Sequence, residues 1–339
     1  MPYPLLFLTE RSPRHQQSAR RQSPESVIVN FLSHSDKKAI LQQVKDAEFL
    51  ITERAGRIDS EIIAAAPNLR LIQRLGSLTH DIDVDAAKRA MIPVCATPVL
   101  GCIMVAEHML FQMIALAKKA PDVTAVTNAA GQWRQSRRTD ENIFAYNWSG
   151  RTKVRALYQS TIGILGFGEI GVELARIVKG IRPARILYHK RSRLPVAVEN
   201  ELGLTYAQPT EIYQQSDILC CLLPYAKETD MSLNAAVFAQ MKPGALFVHC
   251  GSGSVIDESA LADAIRSGQI GGAALDTFEW EPIKPDNPLL ALARTADFNV
   301  LLTPHTAAGS GDFYASHRSN DYENVARVLE GKPLLDRVC

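Results

Sequence analysis

Several features that would direct a functional reading are missing from this 339-residue chain. Its 37 Lys+Arg and 36 Asp+Glu leave a formal charge of +1, so no net field is available to hold a polyanion, and no nucleic-acid partner is expected without a local basic patch. None of the six cysteines (Cys95, Cys102, Cys220, Cys221, Cys250 and Cys339) belongs to a C-x-x-C pair, so neither a zinc ribbon nor a disulfide framework is expected. Cys220 and Cys221 lie in an apolar run, where thiols pack as small hydrophobes. The pattern reads as a reduced, cytoplasmic protein without a bound metal. Residues 5–8 are too short for a signal h-region, and residues 101–117 carry Glu107 and His108 in mid-segment, so no membrane partner is expected. What remains is an ordinary globular composition, 46% hydrophobic, on a chain long enough for two domains at about 150 residues each.

The first hundred residues alternate short apolar runs (5–9, 49–52, 71–75 and 93–96) with helical patterns (37–44, 60–66 and 84–90). Such alternation predicts a parallel sheet covered by helices. Residues 11–26 hold Arg11, Arg14, Arg20 and Arg21 with no acid before Glu25, and read as a solvated basic loop. From 103 to 117 apolar residues recur at a period near 3.6, which predicts a helix joining two domains. Residues 131–159 show no clean period and read as an extended excursion suited to a subunit contact. A second alternating series follows, with strands expected near 161–165, 185–188, 217–222, 245–249, 272–275 and 300–303, the number a doubly wound dinucleotide fold requires. Residues 321–329 read as a last helix returning to the first domain.

The apolar strand at 161–165 runs directly into Gly166-Phe167-Gly168-Glu169-Ile170-Gly171 and then into a helical pattern. That order matters, because Gly166 permits a tight turn, Gly168 lets backbone approach a pyrophosphate, and Gly171 allows close packing. Exposed N–H groups and the helix dipole then hold the anion. About twenty residues on, where an acid would bind the 2′-hydroxyl of NAD, the chain reads Tyr188-His189-Lys190-Arg191-Ser192-Arg193. Lys190, Arg191 and Arg193 can pair with a 2′-phosphate, which predicts a preference for NADP(H) with NAD(H) as the alternative. The competing reading is a solvated basic loop.

At this point the chain resembles the D-isomer-specific 2-hydroxyacid dehydrogenases, a family that includes glyoxylate/hydroxypyruvate reductases. The resemblance rests on Asp81-Ile-Asp83 with Ala86-Ala87, Val105-Ala-Glu107-His108, the glycine turn, Leu223-Pro224 with Glu228-Thr229, Met241-Lys-Pro-Gly244, Ala273-Ala-Leu-Asp276 with Phe278-Glu279, Glu281-Pro282 and Thr303-Pro-His305. It implies two doubly wound α/β domains with a cleft between them. One is a flavodoxin-like substrate domain from residues 1–102 and 308–339, and the other an inserted Rossmann cofactor domain from 103–307. It also implies a homodimer through the cofactor domain, and hydride transfer at C2 of a small 2-oxo or 2-hydroxy acid. His305 corresponds to the family acid/base, Glu281 to its orienting carboxylate, and Asp276 to an acid beside the nicotinamide. His189, Leu223, Pro224, Thr229 and Cys250 fall along the cofactor as well. Taken alone, His305 reads as a capping or packing histidine after a strand; Thr303-Pro304 and Glu281 reverse that preference. His108 reads as a helix-packing residue, and His80 as a loop residue or a substrate contact.

One departure bears on chemistry. The family segment N-x-A/S-R-G appears here as His249-Cys-Gly-Ser252-Gly253, with matches on both sides, so Ser252 stands where a substrate-binding Arg is expected. The carboxylate loop is Gly76-Ser77-Leu78, with Leu78 in place of a glycine and narrowing the approach. Arg74, Arg134, Arg137 and Arg138 are candidates for a substitute cation. The leading expectation is an NADP(H)-dependent oxidoreductase acting on a small 2-oxo or 2-hydroxy acid or a related hydroxycarbonyl compound. The alternative is a catalytically impaired nucleotide-binding sensor or regulatory protein on the same fold.

Overall fold

The computed structural model describes residues 2–33, 36–129, 136–144, 146–295, 297–309 and 317–339. These fall into two compact units, Met1–Ile103 with Gly309–Cys339, and Met104–Ala308.

The first unit is a five-stranded parallel sheet of β1 (Tyr3–Leu8), β2 (Val27–Leu32), β3 (Phe49–Thr52), β4 (Leu71–Leu75) and β5 (Val94–Thr97), in the order β2-β1-β3-β4-β5. This is the flavodoxin-like order. Successive side chains of a strand face opposite ways, so Leu6 and Leu8 join Leu50, Ile72 and Val94 in one core, while Leu5 and Phe7 join Phe49, Ile51 and Leu71 in the other. Burial on both faces is why these strands read as unbroken apolar runs.

Two sequence expectations fail here. Residues 11–26 are not a loop, because a helix spans Pro13–Arg21. Pro13 occupies its first turn, Arg20 and Arg21 favour its C-terminal dipole, and Ala19 is buried with its carbonyl accepting from Tyr322 Oη at 2.9 Å. Strand β2 was also not anticipated. It sits at the sheet edge, and Asn30 divides its apolar residues into two short runs, 27–29 and 31–32. The tail does form a helix, Glu323–Glu330, and its Val325 enters the β1/β3 core of this unit.

The second unit has seven parallel strands: β6 (Thr161–Leu165), β7 (Arg185–His189), β8 (Leu204–Tyr206), β9 (Ile218–Cys221), β10 (Ala245–His249), β11 (Ile270–Leu275) and β12 (Val300–Leu302). Their order is β12-β11-β10-β9-β6-β7-β8, so the direction of winding reverses between β6 and β9. Six match the expected segments, and three-residue β8 is the addition. The helix Leu100–Ala117 is long and apolar enough to cross a membrane, yet Val105, Ala106, Met109, Met113, Leu116 and Ala117 are buried, with Met113 Sδ 3.8 Å from Cys220 Sγ. Residues 136–144 and 146–159 contain no helix or strand among the described positions.

Among the described residues of the first unit, one buried charge stands out. Arg74, on β4, is fully buried and donates to the Asp81 carboxylate and, at 3.4 Å, to Thr52 O. Removing one partner of a buried pair strands the other charge at a cost of about 3–5 kcal/mol, whereas replacing the cation with an apolar chain of similar length costs less. Asp81→Asn is therefore expected to lower the unfolding free energy by about 3 kcal/mol and Arg74→Met by less, as read from denaturant midpoints. The reverse ranking would show that the pair is not the dominant interaction at this position.

Candidate active site

The C-terminal ends of the second unit's strands carry the chemistry, and glycines set their spacing. Gly166 has φ +81°, and a Cβ there would lie 2.6 Å from the carbonyl of Leu222 and the nitrogen of Leu223, at the end of β9. Gly168 is the N-cap of helix Glu169–Lys179; no side chain caps that helix, and a Cβ at Gly168 would meet nothing within 4 Å. The first-turn N–H groups of Glu169, Ile170 and Gly171 have no helical acceptors. A Cβ at Gly171 would lie 3.0 Å from the Phe167 ring, whose centroid is 4.9 Å from that of Tyr188. The turn thus offers unfilled space, N–H donors and a dipole at the reversal point of the sheet, a fit for a dinucleotide pyrophosphate. Beyond β9, Thr229 Oγ1 donates to Pro224 O and accepts from Ala226 N, both at 2.8 Å, and so holds the turn that follows Leu223.

At the end of β7, His189 Nδ1 lies 3.0 Å from Ala207 O. Arg193 donates through Nε and Nη2 to the two oxygens of Glu199 at 2.9 and 2.8 Å, and Tyr188 Oη donates to the same carboxylate at 2.8 Å. The Arg193 partnership holds the Glu199 carboxyl below its usual range. The Arg193 charge is therefore balanced internally; half-buried Lys190 and exposed Arg191 lie at the same strand end.

Asp276 follows directly on β11 and Thr303 on β12, and the two strand ends are bound together. Thr303 Oγ1 donates to Asp276 Oδ1 at 2.6 Å, Thr306 N to the same oxygen at 3.0 Å, and Ala307 N to Oδ2 at 2.8 Å. Between these anchors stands His305, with a left-handed backbone (φ +53°). Its Nδ1 lies 2.6 Å from Glu281 Oε2, while Glu281 Oε1 accepts from Phe278 N at 3.1 Å. A carboxylate on Nδ1 fixes the tautomer and leaves Nε2 as the outward nitrogen.

Ser252 follows β10 in a segment with little freedom. Its N–H donates to Leu223 O at 2.9 Å, and its carbonyl lies 3.1 Å from His249 Nε2. Gly251 and Gly253 flank it so tightly that a Cβ at Gly253 would meet Phe278 O at 1.9 Å. Among the described residues the Ser252 hydroxyl makes no hydrogen bond. In the first unit, Gly76 (φ +137°) donates to Thr97 O at 2.8 Å, Ser77 is half-buried, Leu78 is buried and His80 is exposed.

The model of the D-isomer specific 2-hydroxyacid dehydrogenase NAD-binding domain matches residues 113–307. A glyoxylate reductase of Pyrococcus furiosus is 33% identical over 96% of this chain and 91% of its own length, and one of Aeropyrum pernix is 32% identical over 87% and 84%. A solved structure described as a glyoxylate reductase from Paecilomyes thermophila, 25% identical, covers 100% of this chain and 99% of its own, with a TM-score of 0.53. The chain belongs to the D-isomer-specific 2-hydroxyacid dehydrogenases.

A 2-hydroxyacid dehydrogenase passes hydride between a hydroxy acid and a nicotinamide, and the four arginines considered as substrate cations stand in different settings. Arg74 is buried against Asp81, Arg137 and Arg138 are exposed in an irregular segment, and Arg134 lies outside the described residues. The helix that carries His108 also carries Gln112, a residue the sequence reading does not single out. His108 Nε2 lies 3.0 Å from Thr303 Oγ1, and Gln112 Nε2 lies 3.5 Å from the same oxygen. Their i, i+4 spacing on a helix that is apolar apart from them and Glu107 was the available signal.

Two outcomes follow for this dehydrogenase. Gly166→Ala, strained in both φ and space, should be destabilised by at least about 2 kcal/mol, whereas Gly168→Ala should keep the wild-type melting temperature and lose at least about tenfold in affinity for dinucleotide. Thermal melts and dinucleotide titrations check the pair, and unchanged affinity in Gly168→Ala would remove the pyrophosphate assignment. Burial also drives His249 from 6.5 down to about 3. The unfolded chain takes up this proton as pH falls through about 6.5, the folded chain only near 3, so stability is lost across that interval. At pH 5 the loss from this group is about 2 kcal/mol. His249→Asn should flatten the decline in stability between pH 7.5 and 5, with the rest carried partly by His108, which burial shifts in the same direction.

Proposed function

We propose that this 2-hydroxyacid dehydrogenase is an NADP(H)-dependent reductase of a small 2-oxo acid or a related hydroxycarbonyl compound, with His305 as proton donor and Glu281 as its orienting partner. The 2.6 Å contact between His305 Nδ1 and Glu281 Oε2 carries this reading. A bound nicotinamide dinucleotide would supply the hydride. Gly166 to Gly171, Leu223, Pro224, Thr229, Cys250 and Asp276 would hold it, and Lys190 with Arg191 would meet a 2′-phosphate. His189 completes that end of the site. His305 Nε2 delivers the proton to the oxygen of the reduced carbonyl, and Glu281 balances the charge of the imidazolium that gives it up. Ser77 and Leu78 would offer backbone N–H groups to an anionic substrate, on the loop that opens at Gly76, whose own N–H is held by Thr97 O.

Ser252 sets the rate and the substrate. Loss of a donor aimed at developing oxyanion charge costs about 2.7–4 kcal/mol, or roughly 10²–10³ in rate, so slow turnover of ordinary 2-oxo acids is expected. A hydroxyl donates one neutral hydrogen bond and suits a hydroxycarbonyl better than a carboxylate. The same missing cation favours a second reading, in which dinucleotide binding serves a regulatory role without turnover.

The chain is also read as a cytoplasmic homodimer. Its six free thiols support a reducing compartment, and exposed Ile143, Phe144, Tyr146, Trp148, Phe111 and Ile114 support a subunit contact through the second unit.

Purified protein with NADPH or NADH and a panel of glyoxylate, hydroxypyruvate, longer 2-oxo acids and neutral carbonyls separates the readings by absorbance, while light scattering reads the oligomer. Oxidation of NADPH faster than NADH is the expected result; tight dinucleotide binding without turnover would favour the regulatory reading. Ser252→Arg should raise kcat/KM on 2-oxo acids at least about tenfold, equivalent to 1.4 kcal/mol. No gain would mean that another group already meets the carboxylate.

A further inference from the structure

Helix Leu100–Ala117 carries a polar pair that its apolar surroundings do not account for. Gln112 is fully buried, and the side chain of His108, one turn earlier, is 15% exposed. Both point at Thr303 Oγ1, with nitrogens at 3.0 Å for His108 and 3.5 Å for Gln112. A threonine hydroxyl has one proton, and its shortest contact, 2.6 Å to Asp276 Oδ1, takes it. Thr303 Oγ1 must then accept from the helix, which assigns His108 the Nε2–H tautomer, a donor also 3.5 Å from Asp276 Oδ1. On its other side, Gln112 Oε1 accepts from Cys250 Sγ at 3.4 Å. The helix therefore reaches, in one connected set of hydrogen bonds, the carboxylate that anchors the His305 turn and the cysteine two residues before Ser252.

We infer that His108 and Gln112 are positioning residues: through Thr303 they hold the Asp276 carboxylate, and through it the nicotinamide-facing edge and the turn that presents His305. The inference rests on the proposed role of His305. Burial shifts His108 toward its neutral form, which preserves the single N–H donor this arrangement uses. A buried donor lost from such a network leaves the remaining acceptors unsatisfied, and its effect spreads to every group they hold.

The test compares His108→Leu, which removes the donor, with His108→Gln, whose amide nitrogen can replace it. In His108→Leu, kcat should fall at least about tenfold with the KM for NADPH within about threefold of wild type, because the phosphates still bind at the glycine turn. The fluorescence enhancement of bound NADPH, which reports immobilisation of its ring, should be lost in the same variant. His108→Gln should restore both to within about threefold. Should His108→Leu fail to fold, Thr303→Val and Gln112→Met read the same network. In a folded His108→Leu/Thr303→Val protein, kcat should be no lower than in Thr303→Val alone, since members of one network are not additive. Wild-type kcat and fluorescence in His108→Leu, or equal impairment in His108→Gln, would overturn the inference. If the wild type turns over no carbonyl compound, the role of His305 fails separately, and the fluorescence comparison still decides the network.

Discussion

The grip of one carboxylate on one turn is the constraint from which the site's geometry follows. His305 occupies left-handed backbone, a conformation that costs a residue with a Cβ about 1–2 kcal/mol. Asp276 receives three hydrogen bonds from the segment around it, and such bonds to a carboxylate contribute about 1.5–3 kcal/mol each. The bonds outweigh the strain, so the turn takes the conformation Asp276 dictates. Because Asp276 follows β11 and Thr303 follows β12, two neighbouring strands fix the direction in which the imidazole leaves the backbone, and Glu281 has only to select its tautomer.

Glycine does the corresponding work on the other strands, by letting backbones approach where a side chain would not fit. Gly166 and Gly251 both abut the 222–223 peptide, and Gly253 abuts the carbonyl of Phe278. These contacts lock the ends of β6, β9, β10 and β11 to one another. Ser252 stands between two of them, so its backbone has little room to shift.

Much of this was legible in the sequence because two-sided burial writes itself as apolar runs: β3 and β4 have the expected limits, and six of the second unit's strands fall where read. What escaped has physical reasons. Strand β2 is an edge with one wet face, β8 has three residues, and the helix at Pro13–Arg21 hid because four arginines near it outweigh one buried alanine. Glu281 and His305 could be paired because each lies in a motif. The Arg193–Glu199 pair could not, since it joins residues on either side of a turn into a helix whose geometry is not periodic. Arg74 illustrates the same limit: it read as a free cation, and only the fold reveals Asp81 beside it.

The cost of each arrangement helps to separate proton transfer from mere nucleotide binding. The side chain of His305 is 59% exposed and that of Glu281 36%, so neither buries much apolar surface, and an exposed ion pair contributes little to stability. The pair sits on strained backbone and is held there by a buried carboxylate. Packing does not account for such an arrangement, and nucleotide binding, which the glycine turn already provides, does not call for it. A group that must present one nitrogen outward in a fixed tautomer does account for it. On the proposed reading, Ser252 would limit what that nitrogen can serve. Bringing a carboxylate out of water without a paired cation costs several kcal/mol, of which one neutral hydrogen bond returns about 1, so the proposed acid/base pair would work best on a carbonyl whose neighbouring group carries no charge.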